Sequence, residues 1–321
     1  MATRVLEEGH RPTRTEALDL LASGDADLLA VLHAAFRIRR AHFGVKVKLN
    51  MLINAKSGIC PEDCGYCSQS RVSEAPIAKY RMLSKDVLVA GAHEAWSRKA
   101  ATYCIVASGR GPSARDLDEV TAAVRQIKRE LPMKVCACLG LLKEDDAVRL
   151  KEAGVDRYNH NLNTSSDHHA NIVTTHTYDD RVRTLGAVKA AGISPCSGFI
   201  AGMGETDAQI VGVAGALAEL DIDSIPVNFL TPIEGTPLAG LAELDPRRCL
   251  RILALLRFMC PSKEIRVAGG REVHLRSLQP LAMYPANAIF IGDYLTTEGQ
   301  DAEDDYRMIE DLGFEIEECA L

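Results

Sequence analysis

Lys46-Val-Lys-Leu-Asn-Met-Leu-Ile-Asn54 is followed by Ser57-Gly-Ile-Cys60-Pro-Glu-Asp-Cys64-Gly-Tyr-Cys67-Ser68. The first part is an apolar-rich run of strand length. The second is a loop in which three residues and then two separate successive cysteines. A chemically loaded loop directly after a strand is the arrangement of barrels built from alternating strands and helices, which place their chemistry at strand C-terminal ends. The same alternation continues along the chain. Strands are predicted near 46–54, 102–108, 134–139, 157–162, 194–201, 224–230, 264–268 and 287–292. Helical length and periodicity mark Leu83 to Arg98, Ala114 to Glu130, Lys143 to Ala153, Tyr178 to Ala191, Asp207 to Leu220 and Pro246 to Met259. Eight strands alternating with helices over about 250 residues predict an α/β fold, a (β/α)8 TIM-type barrel. Pattern alone leaves an open doubly wound sheet as the alternative.

Ahead of the first strand, Thr13 and Glu16 form a candidate capping box, and Ala17, Leu18, Leu20, Leu21, Leu28, Leu29, Val31 and Leu32 recur at helical spacing. Residues 1–44 are therefore read as an N-terminal helical extension, and 45–321 as the barrel with a C-terminal tail. The acidic stretch Glu298 to Glu318 still carries helix formers. With no Pro/Gly/Ser-rich linker, the chain reads as one domain.

Composition narrows the function classes. The 321 residues are 47% hydrophobic and 25% charged, as in ordinary globular proteins with a sizeable core. The net charge of −7 and the lack of a basic block argue against nucleic acid as a partner. The longest uncharged stretch, Ser277 to Gly292, is broken by Pro280 and Pro285 and is shorter than the ~20 apolar residues a spanning helix needs. Glu7, Glu8, His10 and Arg11 interrupt any export signal, so a cytoplasmic protein without membrane association is expected. In that reducing compartment the ten cysteines are expected as thiols or metal ligands.

Thiolates are soft ligands suited to iron–sulfur clusters or zinc, and Gly58, Pro61 and Gly65 let a short loop wrap a metal. Three ligands leave one coordination position open, where a cofactor or substrate can bind an iron directly. The plainer reading, structural zinc, needs a fourth ligand, and no second Cys or His pair at zinc-finger spacing supplies it.

The CxxxCxxC motif, with Tyr66 just before its third cysteine, resembles that of radical S-adenosylmethionine enzymes. The resemblance implies that Cys60, Cys64 and Cys67 hold a [4Fe-4S] cluster whose open iron binds S-adenosyl-L-methionine. Further segments, Thr-Tyr-Cys104-Ile-Val-Ala, Lys-Val-Cys136-Ala-Cys138, Ser-Pro-Cys196-Ser-Gly, Tyr158-Asn-His-Asn-Leu-Asn163, Pro226-Val-Asn228 and Ile265-Arg266-Val, are similar in order and spacing to the biotin synthase family along nearly the whole chain. Singly, each strand cysteine would be an inert buried thiol, and Arg266 would be an ion-pair residue. The resemblance makes Cys104, Cys136, Cys196 and Arg266 the ligands of a [2Fe-2S] cluster that donates sulfur. It places Asn161 and Asn228 on the ureido ring of dethiobiotin and Asn163 on the cofactor ribose, where many relatives have Asp. Gly202, in Gly198-Phe-Ile-Ala-Gly-Met-Gly-Glu205, falls where the cofactor adenine packs, and Ala107-Ser-Gly-Arg110 where its methionyl end lies. Tyr66, Asn161, Asn163 and Gly202 are thus the implied cofactor contacts. Cys138 is expected to pack beside Cys136; Cys249, Cys260 and Cys319 match no motif.

The activity implied is insertion of sulfur into dethiobiotin at C9 and C6, giving biotin. A small electron donor such as flavodoxin or ferredoxin and a homodimeric state accompany the resemblance. Two other readings remain: a relative that rearranges a metabolite or matures a metal centre, against which the strand cysteines argue, and a non-catalytic iron–sulfur carrier, for which the asparagines and glycine segments would have no purpose.

Overall fold

The computed structural model of the protein describes residues 1–241 and 244–318. Its strands are β1 Lys46–Lys56, β2 Thr102–Ala107, β3 Lys134–Cys138, β4 Arg157–Asn159, β5 Ser194–Cys196, β6 Phe199–Ala201, β7 Ser224–Phe229, β8 Glu264–Val267, β9 Ala288–Phe290 and β10 Glu315–Ile316. Neighbouring strands pair in parallel, and β1 meets both β2 and β9, which closes the sheet. The ring has eight positions, as predicted. Parallel strands need long crossovers, and the amphipathic helices between strands supply them.

One ring position departs from expectation: the strand expected over 194–201 is split into β5 and β6, which both pair with β7. A Cβ on Gly198 would lie 1.7 Å from the Pro226 carbonyl oxygen, so only glycine fits. The Gly198 N–H leaves the ladder and donates to Asn161 Oδ1 at 3.0 Å, while Pro226 has no N–H to offer. The fourth strand likewise stops at Asn159 rather than near residue 162. The tail forms the helix Ala302–Asp311 and then β10, whose two residues pair with Lys46 and Val47. A strand that short leaves no periodic signature.

Several of the helices begin at side-chain caps. Ser113 with Asp116, Thr177 with Asp180 and Thr206 with Gln209 form capping boxes, and so do Thr13 and Glu16 in the lead-in. The lead-in breaks into Arg14–Leu21 and Leu28–Phe43, and both pack on the helix Pro246–Met259. Every residue of that helix from Cys249 to Phe258 is buried. Cys249 and Cys260 belong to this packing; Cys319 lies outside the described residues. Among the described residues no helix is long and apolar enough to cross a membrane.

Alternation along the strands sorts the side chains. Leu49, Tyr103, Ile105, Val135, Ala137, Ile225, Val227, Ile265 and Val267 point outward into the apolar layer beneath the helices. On the opposite face, polar and sulfur-bearing side chains, Lys48, Cys104, Cys136, Arg157, Cys196, Ser224, Glu264 and Arg266, are buried in the interior beside the apolar Leu52, Val106 and Phe290. Adjacent-strand register aligns Leu52 with Cys104, Cys104 with Cys136, Cys196 with Ser224, Ser224 with Glu264, and Pro226 with Arg266.

The contact at Gly198 predicts that Gly198→Ala lowers stability by about 3 kcal/mol, the upper range for overpacking. Gly186 lies in the helix Tyr178–Ala190 with nothing within 4 Å of its Cβ position. Gly186→Ala should raise stability by about 0.5–1 kcal/mol. Urea unfolding midpoints of the two variants measure both.

Candidate active site

A cavity of about 320 Å³ occupies the barrel interior and opens among the loops that follow the strands. Cys60, Cys64, Cys67, Tyr66, Cys104, Cys136, Cys138, Asn161, Asn163, Asn228 and Arg266 all line it, as do Ala107, Ser108, Gly109 and Arg110. Cys196 is fully buried and reaches the group through Asn159, whose Nδ2 lies 3.3 Å from its Sγ. Gly202 departs from the expectation. It stands behind the wall, its N–H donating to Glu205 Oε1 at 2.7 Å and its Cβ position 2.8 Å from Leu244, whereas Ile200 lines the cavity.

The cysteine loop is held in shape by two acidic residues of its own sequence. Asp63 accepts from Thr174 N at 2.9 Å, Thr175 N at 3.2 Å, Thr175 Oγ1 at 3.0 Å and the Thr174 hydroxyl. Glu62 pairs with His176 Nδ1 and, at 3.1 Å, with Arg110 Nη1. Gly58 turns the chain into the loop at φ 70°, a left-handed conformation that favours glycine. Burial pushes the Cys64 thiol up to about 12 and Cys67 up to about 11, and raises Cys60 as well. A metal that binds here must therefore displace protons.

Deeper, the electrostatics reverse. Hydrogen bonding from Cys136 and the charges of Arg266 and Arg157 outweigh burial at Cys196 and lower it below the ordinary thiol value. A second hydrogen bond, between Cys136 and Cys104, together with Arg266, lowers Cys104, while Cys136 is raised well above the ordinary thiol value. Arg266 Nη1 lies 3.9 Å from Cys104 Sγ, its guanidinium sits 5.2 Å from the Phe290 ring centroid, and its Nε has no partner.

Glu264 lies below this layer. It accepts from Lys48 Nζ at 2.9 Å, Arg157 Nη1 at 2.6 Å, Arg266 Nη2 at 2.6 Å and Ser224 Oγ at 2.8 Å. Burial alone would raise the Glu264 carboxyl, yet the charges of Arg266, Arg157 and Lys48 hold it well below its ordinary value. Three cations thus face this buried carboxylate, Lys48 pairing also with Glu317 Oε1 at 3.3 Å, and the one positive charge left over favours anionic sulfur above it. Among the described residues no three His, Cys, Asp or Glu side chains stand in a ready-made ligating cluster. The fit to iron–sulfur clusters rests on donor chemistry: three thiols on one glycine-bearing loop, and three more facing an arginine with an unpartnered buried nitrogen.

The asparagines differ in what they leave available. Asn161 commits its oxygen to Gly198 N at 3.0 Å and Asn159 Nδ2 at 2.9 Å. Asn228 commits both ends to backbone, accepting from Gly269 N at 3.0 Å and donating to Phe199 O at 3.4 Å. Asn163 has φ 68°, which asparagine tolerates, and its amide oxygen suits the Tyr66 hydroxyl and Arg181 Nη2 at 3.1 Å. Sequence reading missed Arg181, which donates to Asn161 O at 2.7 Å and touches His176 Nε2 at 2.6 Å. It also missed His160, whose buried Nε2 has no partner, and the Tyr294–Thr297 loop, joined to the cysteine loop by Ser68 and Thr296 at 2.8 Å.

Comparison with known proteins agrees with this geometry. Residues 55–217 match the Radical SAM superfamily model, and residues 226–315 match the Biotin and Thiamin Synthesis associated domain. A protein of Geobacillus kaustophilus named biotin synthase is 63% identical over 309 residues, covering 96% of this chain and 93% of its own length. One of the same name from Geobacillus thermodenitrificans is 62% identical over 317 residues, covering 99% and 95%. Among solved structures, methylornithine synthase (PylB) superposes with a TM-score of 0.87 at 20% identity, covering 99% of this chain and 97% of its own. The FeFe-hydrogenase maturase HydG from Carboxydothermus hydrogenoformans gives 0.83 at 18% identity, covering 99% and 78%. At those identities the structural likeness concerns the fold alone.

If Asp63 shapes the loop, Asp63→Ala should bind roughly half or less of the normal iron per chain after anaerobic reconstitution, a loss on the scale of removing a supporting partner. Iron analysis measures the loss, and the far-ultraviolet circular dichroism should stay that of the parent.

Proposed function

The chain belongs to the biotin synthase family, within the radical S-adenosylmethionine superfamily, and on that premise we propose the following division of labour among its residues as it converts dethiobiotin to biotin. The cofactors are a [4Fe-4S] cluster, S-adenosylmethionine and a [2Fe-2S] cluster. Cys60, Cys64 and Cys67 would hold the first cluster, and Cys104, Cys136, Cys196 and Arg266 the second. When bound, the first would supply the electron for reductive cleavage of S-adenosylmethionine, and the second would supply the sulfur for C9 and C6.

The protein's own contribution is placement and enclosure. Asn163, carried on a left-handed turn and braced by Tyr66 and Arg181, is aimed at the cofactor ribose. Asn161 has its oxygen engaged, which leaves its NH2 as the group that reaches the ureido carbonyl of dethiobiotin. Asn228, with both amide ends on backbone, shapes the wall beside the ring. Gly202, behind the wall, supports the strand end over which the adenine packs. Leu52, Val106, Ile200, Phe290 and Tyr294 give the cavity an apolar lining that keeps water and stray hydrogen donors away from a reactive carbon.

The observation that carries this reading is that cysteines of the loop after β1 and cysteines of β2 and β3 line one cavity together with Asn161, Asn163 and Asn228, with Cys196 of β5 joined to it through Asn159. A non-catalytic carrier has no use for that space. We also assign flavodoxin or ferredoxin as the reductant, a homodimeric state and a cytoplasmic location, on the strength of the family resemblance. Residues 1–44 are assigned as a helical extension and 45–321 as the barrel with its tail.

Incubation of the anaerobically reconstituted protein with dethiobiotin, S-adenosylmethionine and a reductant should yield biotin and 5'-deoxyadenosine by mass spectrometry. Cys60→Ala should abolish both products, and Cys104→Ala should abolish biotin while deoxyadenosine still forms. Deoxyadenosine without biotin from the fully loaded parent protein would overturn the substrate assignment.

A further inference from the structure

Arg266 is 1% exposed, and its reach into the cavity is not set by its own backbone. A guanidinium on a stem of three methylenes has several rotamers, and the apolar ring of Phe290 supports its face without fixing its rotation. Orientation comes from Glu264, two residues earlier on β8 and therefore on the same face of the strand. The 2.6 Å contact from Arg266 Nη2 to Glu264 Oε1 fixes one edge of the guanidinium and leaves Nη1 directed to the Cys104 side.

Glu264 is itself immobilised from three other strands. Lys48 Nζ on β1 takes Oε2 at 2.9 Å, whereas Arg157 Nη1 on β4 and Ser224 Oγ on β7 share Oε1 with Arg266 at 2.6 and 2.8 Å. Ser224 is also the direct register partner of Glu264 across the β7–β8 ladder. With its Oε1 shared by three donors and its Oε2 held by a fourth, the carboxylate has no second orientation that keeps all its partners.

We propose that Glu264 is a positioning residue for the second cluster: held by Lys48, Arg157 and Ser224, it aims the guanidinium of Arg266 at the site bounded by Cys104, Cys136 and Cys196. The proposal rests on the assignment of those residues to the [2Fe-2S] cluster. Glu264 touches neither sulfur nor substrate and acts only through Arg266. Lys48 supports the carboxylate from the other oxygen and does not contact Arg266, which separates support of the fold from aim of the guanidinium.

The test compares Glu264→Gln, Glu264→Asp and Lys48→Met with the parent, each reconstituted anaerobically. The second cluster is followed by its visible absorption, its resonance Raman iron–sulfur modes and the rate at which a chelator removes its iron. Glu264→Gln should shift the Raman modes and release second-cluster iron at least ~10-fold faster, the scale expected for a lost outer partner of a metal ligand, while the [4Fe-4S] absorption is kept. Glu264→Asp, which keeps the charge but withdraws it by one methylene, should give an intermediate shift. Lys48→Met should lower the unfolding midpoint and shift the second-cluster spectrum much less than Glu264→Gln, because the three donors on Oε1 remain. A parental spectrum and release rate in Glu264→Gln would overturn the proposal, and so would an equal spectral shift in Lys48→Met. If neither Glu264 variant folds by circular dichroism, the carboxylate is a structural element and the proposal fails. A parent protein that takes up no second cluster would instead overturn the cluster assignment on which the proposal rests.

Discussion

The interior of this barrel is organised around one buried carboxylate. Glu264 ties β1, β4, β7 and β8 together through Lys48, Arg157, Ser224 and Arg266, and does so where a barrel of this class is ordinarily filled with branched apolar side chains. Replacing buried ionic groups by well-packed hydrophobic ones is often neutral or stabilising, so stability alone does not account for such a layer. What it provides is a fixed positive surplus under a group of thiols. An apolar floor would leave those thiols protonated and inert, like Cys249 and Cys260 in the outer packing, both pushed up to about 12 chiefly by burial.

The contrast between the two cysteine sets follows from the same physics. Among the six, Cys64 and Cys67 are raised chiefly by desolvation and Cys104 and Cys196 are lowered by hydrogen bonding and nearby cations, while Cys136, which takes part in both of those hydrogen bonds, is raised. The upper set sits on a loop shaped by Asp63 and Glu62, which bond to the Thr174–His176 segment. The lower set projects from separate strands whose register is fixed by barrel closure. A loop can adapt to a cofactor that comes and goes, whereas strand side chains hold a site whose geometry must persist. Between the two sets, the asparagines after β4 are held by the departure of Gly198 from the ladder, so the break in the fifth ring position is part of how the cavity is made.

Much of this was legible in the residues. The cysteine loop after β1, the alternation that turns the strand cysteines and Arg266 toward one interior, and the capping box at Thr13 and Glu16 each carry a local signature. The charged floor was hidden because its partners come from strands far apart in sequence, and a lysine, an arginine and a glutamate look like surface residues until the barrel closes. One signal was present: Glu264 stands two residues before Arg266 on a predicted strand and so had to share its face. The split at Gly198 and the two-residue β10 depend on contacts between distant segments. Gly202 and Asn228 were placed by resemblance, and the structure shows what each does locally: one packs behind the wall, the other staples backbone.

A sulfur donor held over the charged floor can be followed by rebuilding the second cluster with 34S-sulfide, removing all free sulfide, and running a single turnover with dethiobiotin in unlabelled buffer. The biotin formed should carry 34S, in an amount that does not exceed one per chain. Biotin that carries only the natural sulfur isotope would contradict this, and would place the donor outside the barrel.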